Sequence, residues 1–129
     1  MHKSALVSVD LETGSEILEI LDRANVKIGV ALWAVFPDYY DPRLVVSARR
    51  FDSLGTRKAY GLANESLDAA EFPPRRRKTP IIMILPMTDP FIRGLRRIFA
   101  KAKDVEGMRL GGQMIGDRFL EDAYVYRIS

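Results

Sequence analysis

The segment Lys27–Phe36 limits most strongly what this chain can fold into. In a β-strand, successive side chains point to opposite faces, and after Lys27 neither face of this segment carries a charged side chain. One face carries Ile28, Val30, Leu32, Ala34 and Phe36, and the other face carries Gly29, Ala31, Trp33 and Val35. A strand with one polar face can lie against water, but this one cannot. The sequence therefore predicts a sheet strand that must be covered on both sides.

The rest of the chain alternates helical and extended patterns. An amphipathic helix over Asp10–Asn25, capped by Asp10, precedes the strand, and the proline-rich turn 37–42 follows it. Further along, the pattern predicts a return strand at Arg43–Phe51 and a helix at Ser53–Phe72. A buried central strand at Ile81–Leu85 is followed by a helix that is capped by Asp89 and ends near Lys103. The last predicted element is a hairpin of Met108–Ile115 and Phe119–Ile128. Ala5–Val9 is compatible with a short edge strand. The order α-β-β-α-β-α-β-β predicts a single α+β domain over residues 1–129, with a mostly antiparallel sheet of about five strands and three helices.

Three helices are few for covering both sides of such a sheet. Helices in α+β folds are commonly segregated to one face of the sheet. We therefore expect the opposite face to expose Trp33 or neighbouring apolar side chains. Because an exposed apolar patch usually marks an interface or a ligand groove, the sequence predicts a homo-oligomer, with a small-ligand sensor as another use of the same face.

The residues that the chain lacks exclude several kinds of catalysis. There is no cysteine, so disulfides, thiolate metal sites and thiol nucleophiles are impossible. The only histidine is His2, no Gly-x-Ser-x-Gly motif is present, and Gly111–Gly116 lacks the lysine of a phosphate-binding loop. We therefore expect no catalytic residue and no cofactor. With no apolar run of about 18 residues and no export signal, we also expect a cytoplasmic protein that does not enter a membrane.

Carboxylates are the remaining residues from which a metal site could be built. Asp38 and Asp41 lie in the turn after the strand Lys27–Phe36. The other candidates are Asp52, Asp117, Glu121 and Asp122. Glu121 and Asp122 are adjacent on a predicted strand, so their side chains point to opposite faces. We expect no metal site. A metal-dependent phosphodiesterase or nuclease that uses the hairpin carboxylates is the alternative function.

Positive charge is concentrated in the second half of the chain, where residues 73–129 carry a formal charge of +6 against −3 for residues 1–72. On the helix after Asp89, the face opposite the apolar stripe carries Arg93, Arg96, Arg97, Lys101 and Lys103, without an acidic residue among them. Four more cations, residues 75–78, precede the central strand. The pattern predicts an anion-binding site for a nucleic acid or an acidic protein, formed by Arg93, Arg96, Arg97, Lys101, Arg75, Arg76 and Arg77.

The same charges are also compatible with an ordinary role in the fold. Cations near a helix C-terminus are favoured by the helix dipole, and the acidic first helix, with Glu12, Glu16, Glu19 and Asp22, could face the basic helix in one molecule or across a dimer. Tyr39 and Tyr40 could stack bases, although nothing places them beside the basic helix. The function predicted is a small, non-catalytic, self-associating binding module that contacts an anionic partner through its basic helix.

Overall fold

The structure is a computed structural model that describes residues 11–72 and 80–129. Its helices are α1 (Leu11–Arg23), α2 (Arg49–Leu54), α3 (Thr56–Ala69) and α4 (Pro90–Ile98). Its strands are β1 (Val30–Val35), β2 (Arg43–Ser47), β3 (Ile81–Ile84), β4 (Arg109–Leu110), β5 (Gln113–Ile115), β6 (Arg118–Leu120) and β7 (Asp122–Ile128). The α+β class is confirmed. The predicted strand Ala5–Val9, the cap Asp10 and the cations Arg75, Arg76 and Arg77 lie outside the described residues.

Five strands form one mixed sheet in the order β3-β2-β1-β7-β4, and β5 and β6 form a separate hairpin. The central strand is β1, which pairs antiparallel with β2 and with β7. In contrast, β3 pairs in parallel with β2 and has no second neighbour among the described strands. The prediction of an interior strand at Ile81–Leu85 is therefore wrong for the described sheet. An apolar segment can also form the edge strand of a sheet when helices cover its faces. Here Ile81 is 38% exposed.

Both faces of the sheet are covered by the chain itself. Ala31, Trp33 and Val35 pack against α1, α2 and α3 in one apolar cluster. Val30, Leu32 and the other side chains of the opposite face pack against α4 and the β5–β6 hairpin in a second cluster. The expectation of an exposed face at Trp33 is wrong, because Trp33 is only 4% exposed. The helices are divided between the two faces, as the two-sided pattern of β1 requires.

The chain turns into a helix earlier than predicted after β2. The predicted return strand extends to Phe51, but β2 ends at Ser47, which pairs with Val30, the first residue of β1. Beyond Ser47 no β1 residue remains to pair with, and the amide of Asp52 donates to the oxygen of Ala48 in a helical turn. The predicted helix Ser53–Phe72 is divided at Gly55, whose φ of 83° separates α2 from α3.

The basic helix α4 begins as predicted and ends sooner. The side chain of Asp89 accepts a 2.9 Å hydrogen bond from the amide of Phe91, and Pro90 occupies the first turn. After Ile98 the main-chain hydrogen bonds join residues three apart and no longer four apart, with Ala100 N donating to Arg97 O. This tightening ends the helix, so Lys101 and Lys103 follow α4 and do not lie on it.

Candidate anion-binding groove

Three of the predicted cations lie together on α4. Arg93 and Arg97 are exposed and Arg96 is half-buried, and all three line one cavity of about 520 Å³ together with Phe99, Ala100, Ala102, Ile128 and Ser129. Lys101 is exposed in the turn after α4 and does not line this cavity. The structure therefore brings together Arg93, Arg96 and Arg97 and leaves Lys101 outside.

A second cavity lies beside the first and adds cations that the sequence analysis did not single out. It has a volume of about 580 Å³ and shares Arg96 and Ser129 with the first. Its other lining residues are Asn25, Val26, Lys27, Gly29, Arg49, Arg50, Ser53 and Met87. The two cavities therefore lie next to each other, on either side of the shared residues. We call the pair the basic groove and define it by its six cations, Lys27, Arg49, Arg50, Arg93, Arg96 and Arg97.

Arg96 is fixed at the junction of the two cavities. Its Nε donates a 2.9 Å hydrogen bond to the main-chain oxygen of Ser129. Ser129 is held in turn by Gly29, whose main-chain oxygen accepts from the Ser129 amide at 2.9 Å and from the Ser129 hydroxyl at 3.1 Å. These contacts tie α4 to the end of β7 and the beginning of β1. They leave the terminal nitrogens of Arg96 without a hydrogen bond to the described residues.

Lys27 reaches the groove from a loop that Asp22 holds in place. Asp22 Oδ1 accepts from the amide of Ile28 at 3.1 Å, and both carboxylate oxygens of Asp22 accept from the guanidinium of Arg127 at 3.2 and 3.0 Å. Arg127 also donates to the main-chain oxygen of Ile28 at 3.0 Å. Lys27 itself has a φ of 58°, a left-handed conformation that non-glycine residues rarely adopt. The loop is thus fixed on both sides of a strained lysine.

Arg49 and Arg50 line the second cavity from the beginning of α2. This short helix is tied to the segment before α4, because both carboxylate oxygens of Asp52 accept from the amide of Met87, at 3.2 and 3.1 Å. Both arginines are exposed. The position of Arg49 and Arg50 follows from the early end of β2, since a return strand reaching Phe51 would have carried them away from Lys27.

Within residues 11–72 and 80–129, no side-chain carboxylate pairs with any of the six cations. In contrast, Arg23, Arg109 and Arg127 pair with Glu19, Asp122 and Asp22. The suggestion that the acidic helix α1 faces the basic helix in the same molecule is wrong, because α1 packs on one face of the sheet and α4 on the other. The groove is therefore positively charged and open to solvent.

The predicted tyrosines and carboxylates of the turn after β1 lie at the far end of the sheet. Tyr39 and Tyr40 follow the end of β1, whereas the groove lies at its beginning; the guanidinium of Arg43 stacks on Tyr39 at 4.0 Å, and Tyr40 is 97% exposed. Asp38 and Asp41 are exposed in the same turn. In residues 11–72 and 80–129 no three carboxylate or histidine side chains are grouped so that they could hold a metal ion.

A scan against protein-family models and searches of the curated proteins and of the solved structures found no match to this chain. What the groove can bind therefore follows from its own residues and charges. Within the described part of the chain, no helix is long and apolar enough to cross a bilayer.

Proposed function

We propose that this protein is a non-catalytic binding module that holds an anionic partner in the basic groove. One observation supports this function most directly. Six cations from three separate segments, the loop before β1, the start of α2 and helix α4, line two adjacent cavities that share Arg96, and no side-chain carboxylate of the described residues pairs with them. Unpaired like charges repel one another, and an anion placed between them lowers that repulsion.

The proposal differs from the prediction made from the basic helix alone. The anion site includes Arg93, Arg96 and Arg97 but adds Lys27, Arg49 and Arg50, which are far from α4 in the sequence. Arg75, Arg76 and Arg77 are not needed for it. Since Arg96 borders both cavities, it should contribute more than any other single cation.

A titration of the ¹⁵N-labelled protein with sodium tripolyphosphate at low salt tests this function. Amide shifts should concentrate at Gly29, Arg49, Arg96 and Ser129, and the double variant Arg50→Ala/Arg96→Ala should bind at least about tenfold more weakly, because two charge-assisted contacts are lost. The matched control is Arg57→Ala/Lys58→Ala, which removes the same net charge from exposed positions on α3 outside the groove. Equal weakening in both double variants, or shifts elsewhere only, contradicts the proposal.

Self-association stays a second part of the proposed function, on a different surface from the sheet face that the sequence predicts. Both sheet faces are covered, but Met114 and Phe119 are cross-strand neighbours on the β5–β6 hairpin and are 61% and 40% exposed. Such an apolar pair supports contact with another copy. Light scattering at tens of micromolar protein, with Met114→Lys as the variant, tests it: a monomer mass for the unmodified protein contradicts self-association. The cytoplasmic location stays a prediction that cell fractionation tests.

A further inference from the structure

We infer that the anionic partner is a nucleic-acid strand, whose sugar–phosphate backbone lies along the whole groove and is contacted without base preference. This inference rests on the proposed function and narrows it to one class of ligand.

The shape of the groove favours a chain-like ligand over a small molecule. Pockets for small molecules usually enclose most of the ligand's surface. The basic groove consists of two adjacent, open cavities of about 580 and 520 Å³. Its charged side chains come from the loop before β1, the start of α2 and α4. A ligand that contacts both ends must be extended and must itself carry several charges.

The kind and spacing of the cations favour phosphate. Five of the six are arginines, whose planar guanidinium offers two parallel hydrogen bonds to a phosphate and is less strongly hydrated than an ammonium group. On α4, Arg93 and Arg97 are separated by one turn, about 6 Å along the axis. Arg49 and Arg50 contribute a second pair of charges beyond Arg96. A ligand with a charge at every repeat, such as a phosphodiester backbone, can engage both pairs at once.

The groove lacks what an acidic protein partner would be expected to need. Protein interfaces draw most of their affinity from buried aromatic and other large side chains at their centre. Here the centre is Arg96 and Ser129, and Phe99, half-buried at one end, is the only aromatic residue of the lining among the described residues. Interfaces with nucleic acids are more polar and more positive.

The same lining gives little means of reading bases. Apart from the arginines, which can bind guanine as well as phosphate, its hydrogen-bonding side chains with amide or hydroxyl groups are Asn25, Ser53 and Ser129, and the Ser129 hydroxyl is already bonded to Gly29. Tyr39 and Tyr40, which could stack bases, lie at the far end of β1. Contacts in the groove are therefore made with phosphates, which position a strand without specifying its sequence.

Binding to fluorescein-labelled oligothymidylates of two, four and eight nucleotides tests the inference, with fluorescence anisotropy at several salt concentrations. The eight-nucleotide strand should bind at least about tenfold more tightly than the two-nucleotide strand, because only the longer one spans both cavities. With about four phosphates engaged, the logarithm of affinity should fall with the logarithm of salt concentration with a slope near −3. Oligoadenylate of the same length should bind within about threefold.

Paired variants show whether both halves of the groove hold the strand. Arg49→Ala/Arg50→Ala and Arg93→Ala/Arg97→Ala should each reduce the slope for the eight-nucleotide strand by about 1 to 1.5 units. Arg57→Ala/Lys58→Ala should leave the slope within about half a unit. All these positions are exposed, so the variants should fold, and circular dichroism and thermal unfolding check that they do.

The outcomes separate this inference from the function on which it rests. If tripolyphosphate binds in the groove but affinity for oligonucleotides does not rise with length, the partner is not a strand and the anion-binding function survives. If an eight-residue polyglutamate peptide binds as tightly as the eight-nucleotide strand, the inference is wrong in its ligand class. If only one pair of arginines affects the slope, the strand does not follow the whole groove and the inference is wrong. If neither tripolyphosphate nor any oligonucleotide binds at low salt, both proposals fail.

Discussion

The indole nitrogen of Trp33 donates a 3.0 Å hydrogen bond to the hydroxyl oxygen of Tyr126 on the neighbouring strand. That hydroxyl donates in turn to the main-chain oxygen of Leu11, at 2.6 Å. The pair thus joins β1 and β7 to the start of α1 while the polar ends of both aromatic side chains are satisfied. Gly14 of α1 lies directly over the pair, because a Cβ atom there would meet the Tyr126 hydroxyl and lie 2.9 Å from Trp33 Nε1. The helix approaches the sheet this closely because residue 14 has no side chain.

Gly14→Ala should therefore destabilise the protein although alanine is the better helix former. The substitution gains about 0.5–1 kcal/mol of helix propensity and loses about 1–3 kcal/mol through overpacking. We expect a net loss of about 1 kcal/mol in the free energy of unfolding, measured by urea denaturation.

Two further variants make that loss specific to the Trp33–Tyr126 contact. Gly61→Ala, in α3 where a Cβ would meet nothing within 4 Å, should raise stability by about 0.5–1 kcal/mol. In the Tyr126→Phe background, Gly14→Ala should cost less than in the unmodified protein, because the hydroxyl that it meets is gone. Additive costs for Gly14→Ala and Tyr126→Phe would show that the two positions do not touch.

How far the fold follows from the sequence can be traced on β1 and β7. The alternation of β1 correctly predicts two covered faces, because period-two burial is a local property. On β7, Tyr124, Tyr126 and Ile128 share a face by alternation, yet Ile128 packs on the face opposite to Tyr126. The register shifts where Ala31 faces Arg127 and Leu32 faces Val125, so Tyr126 is an extra residue. This bulge turns Arg127 toward Asp22, and no local pattern indicates it.

The groove was half predictable for a similar reason. The cations of α4 share a helix face, so their grouping follows from the 3.6-residue period. Lys27, Arg49 and Arg96 line one cavity because Val30 pairs with both Ser47 and Ile128. This pairing brings the start of β1, the end of β2 and the end of β7 to the same end of the sheet. A predicted β2 that extends to Phe51 places Arg49 on a strand and so does not predict that it lies near Arg96. An error of a few residues in one strand end thus left Arg49 and Arg50 out of the predicted site.

Ser47 is a buried side chain whose hydroxyl has no hydrogen-bond partner among the described residues. The residue is 0% exposed at the end of β2, and its Oγ is unpaired there. Because a buried unpaired hydroxyl costs free energy, Ser47→Ala should leave stability unchanged or raise it by up to about 1 kcal/mol. Val45→Ala, two residues away on the same strand, should lower it by about 2 kcal/mol or more through the cavity that it leaves. A loss for Ser47→Ala as large as that for Val45→Ala would indicate a partner for the hydroxyl.

Stability should vary steeply along β3, because only its C-terminal end enters the core. Ile84 is 9% exposed, and its amide donates to the Tyr60 hydroxyl at 2.9 Å, whereas Ile81 is 38% exposed. Ile84→Ala should therefore cost about 2–4 kcal/mol in thermal or urea unfolding. Ile81→Ala should cost less than about 1 kcal/mol. Equal losses of stability at the two positions would show that Ile81 is buried, which contradicts its exposure among the described residues.

Hydrolytic turnover is not expected from this arrangement of residues. The turn carboxylates Asp38 and Asp41 stand apart from the basic groove, and the described residues offer no third ligand that would complete a metal site with them. Assays with ester, phosphodiester and peptide substrates, with and without Mg²⁺ or Mn²⁺, should show no protein-dependent rate. A metal-dependent nuclease activity that disappears in Asp38→Asn or Asp41→Asn would establish the alternative function instead.

Lys27 combines a strained backbone with a charge in the groove, and the two properties can be separated. At a φ of 58° a residue with a Cβ is disfavoured by about 1 kcal/mol relative to glycine. Lys27→Gly should therefore be more stable than Lys27→Ala by about that amount. At Lys58, an exposed helical position of α3, the order should be reversed, with alanine more stable by about 0.5–1 kcal/mol.

Binding distinguishes the charge of Lys27 from its conformation. Lys27→Gly and Lys27→Ala both remove the ammonium group, so both should weaken binding of the eight-nucleotide strand and reduce the salt slope by up to about one unit. The two Lys58 variants lose the same charge away from the groove and should leave the slope unchanged. If Lys27→Gly is stable and binds as tightly as the unmodified protein, the strain at residue 27 does not serve the groove, and Lys27 must be removed from the proposed site.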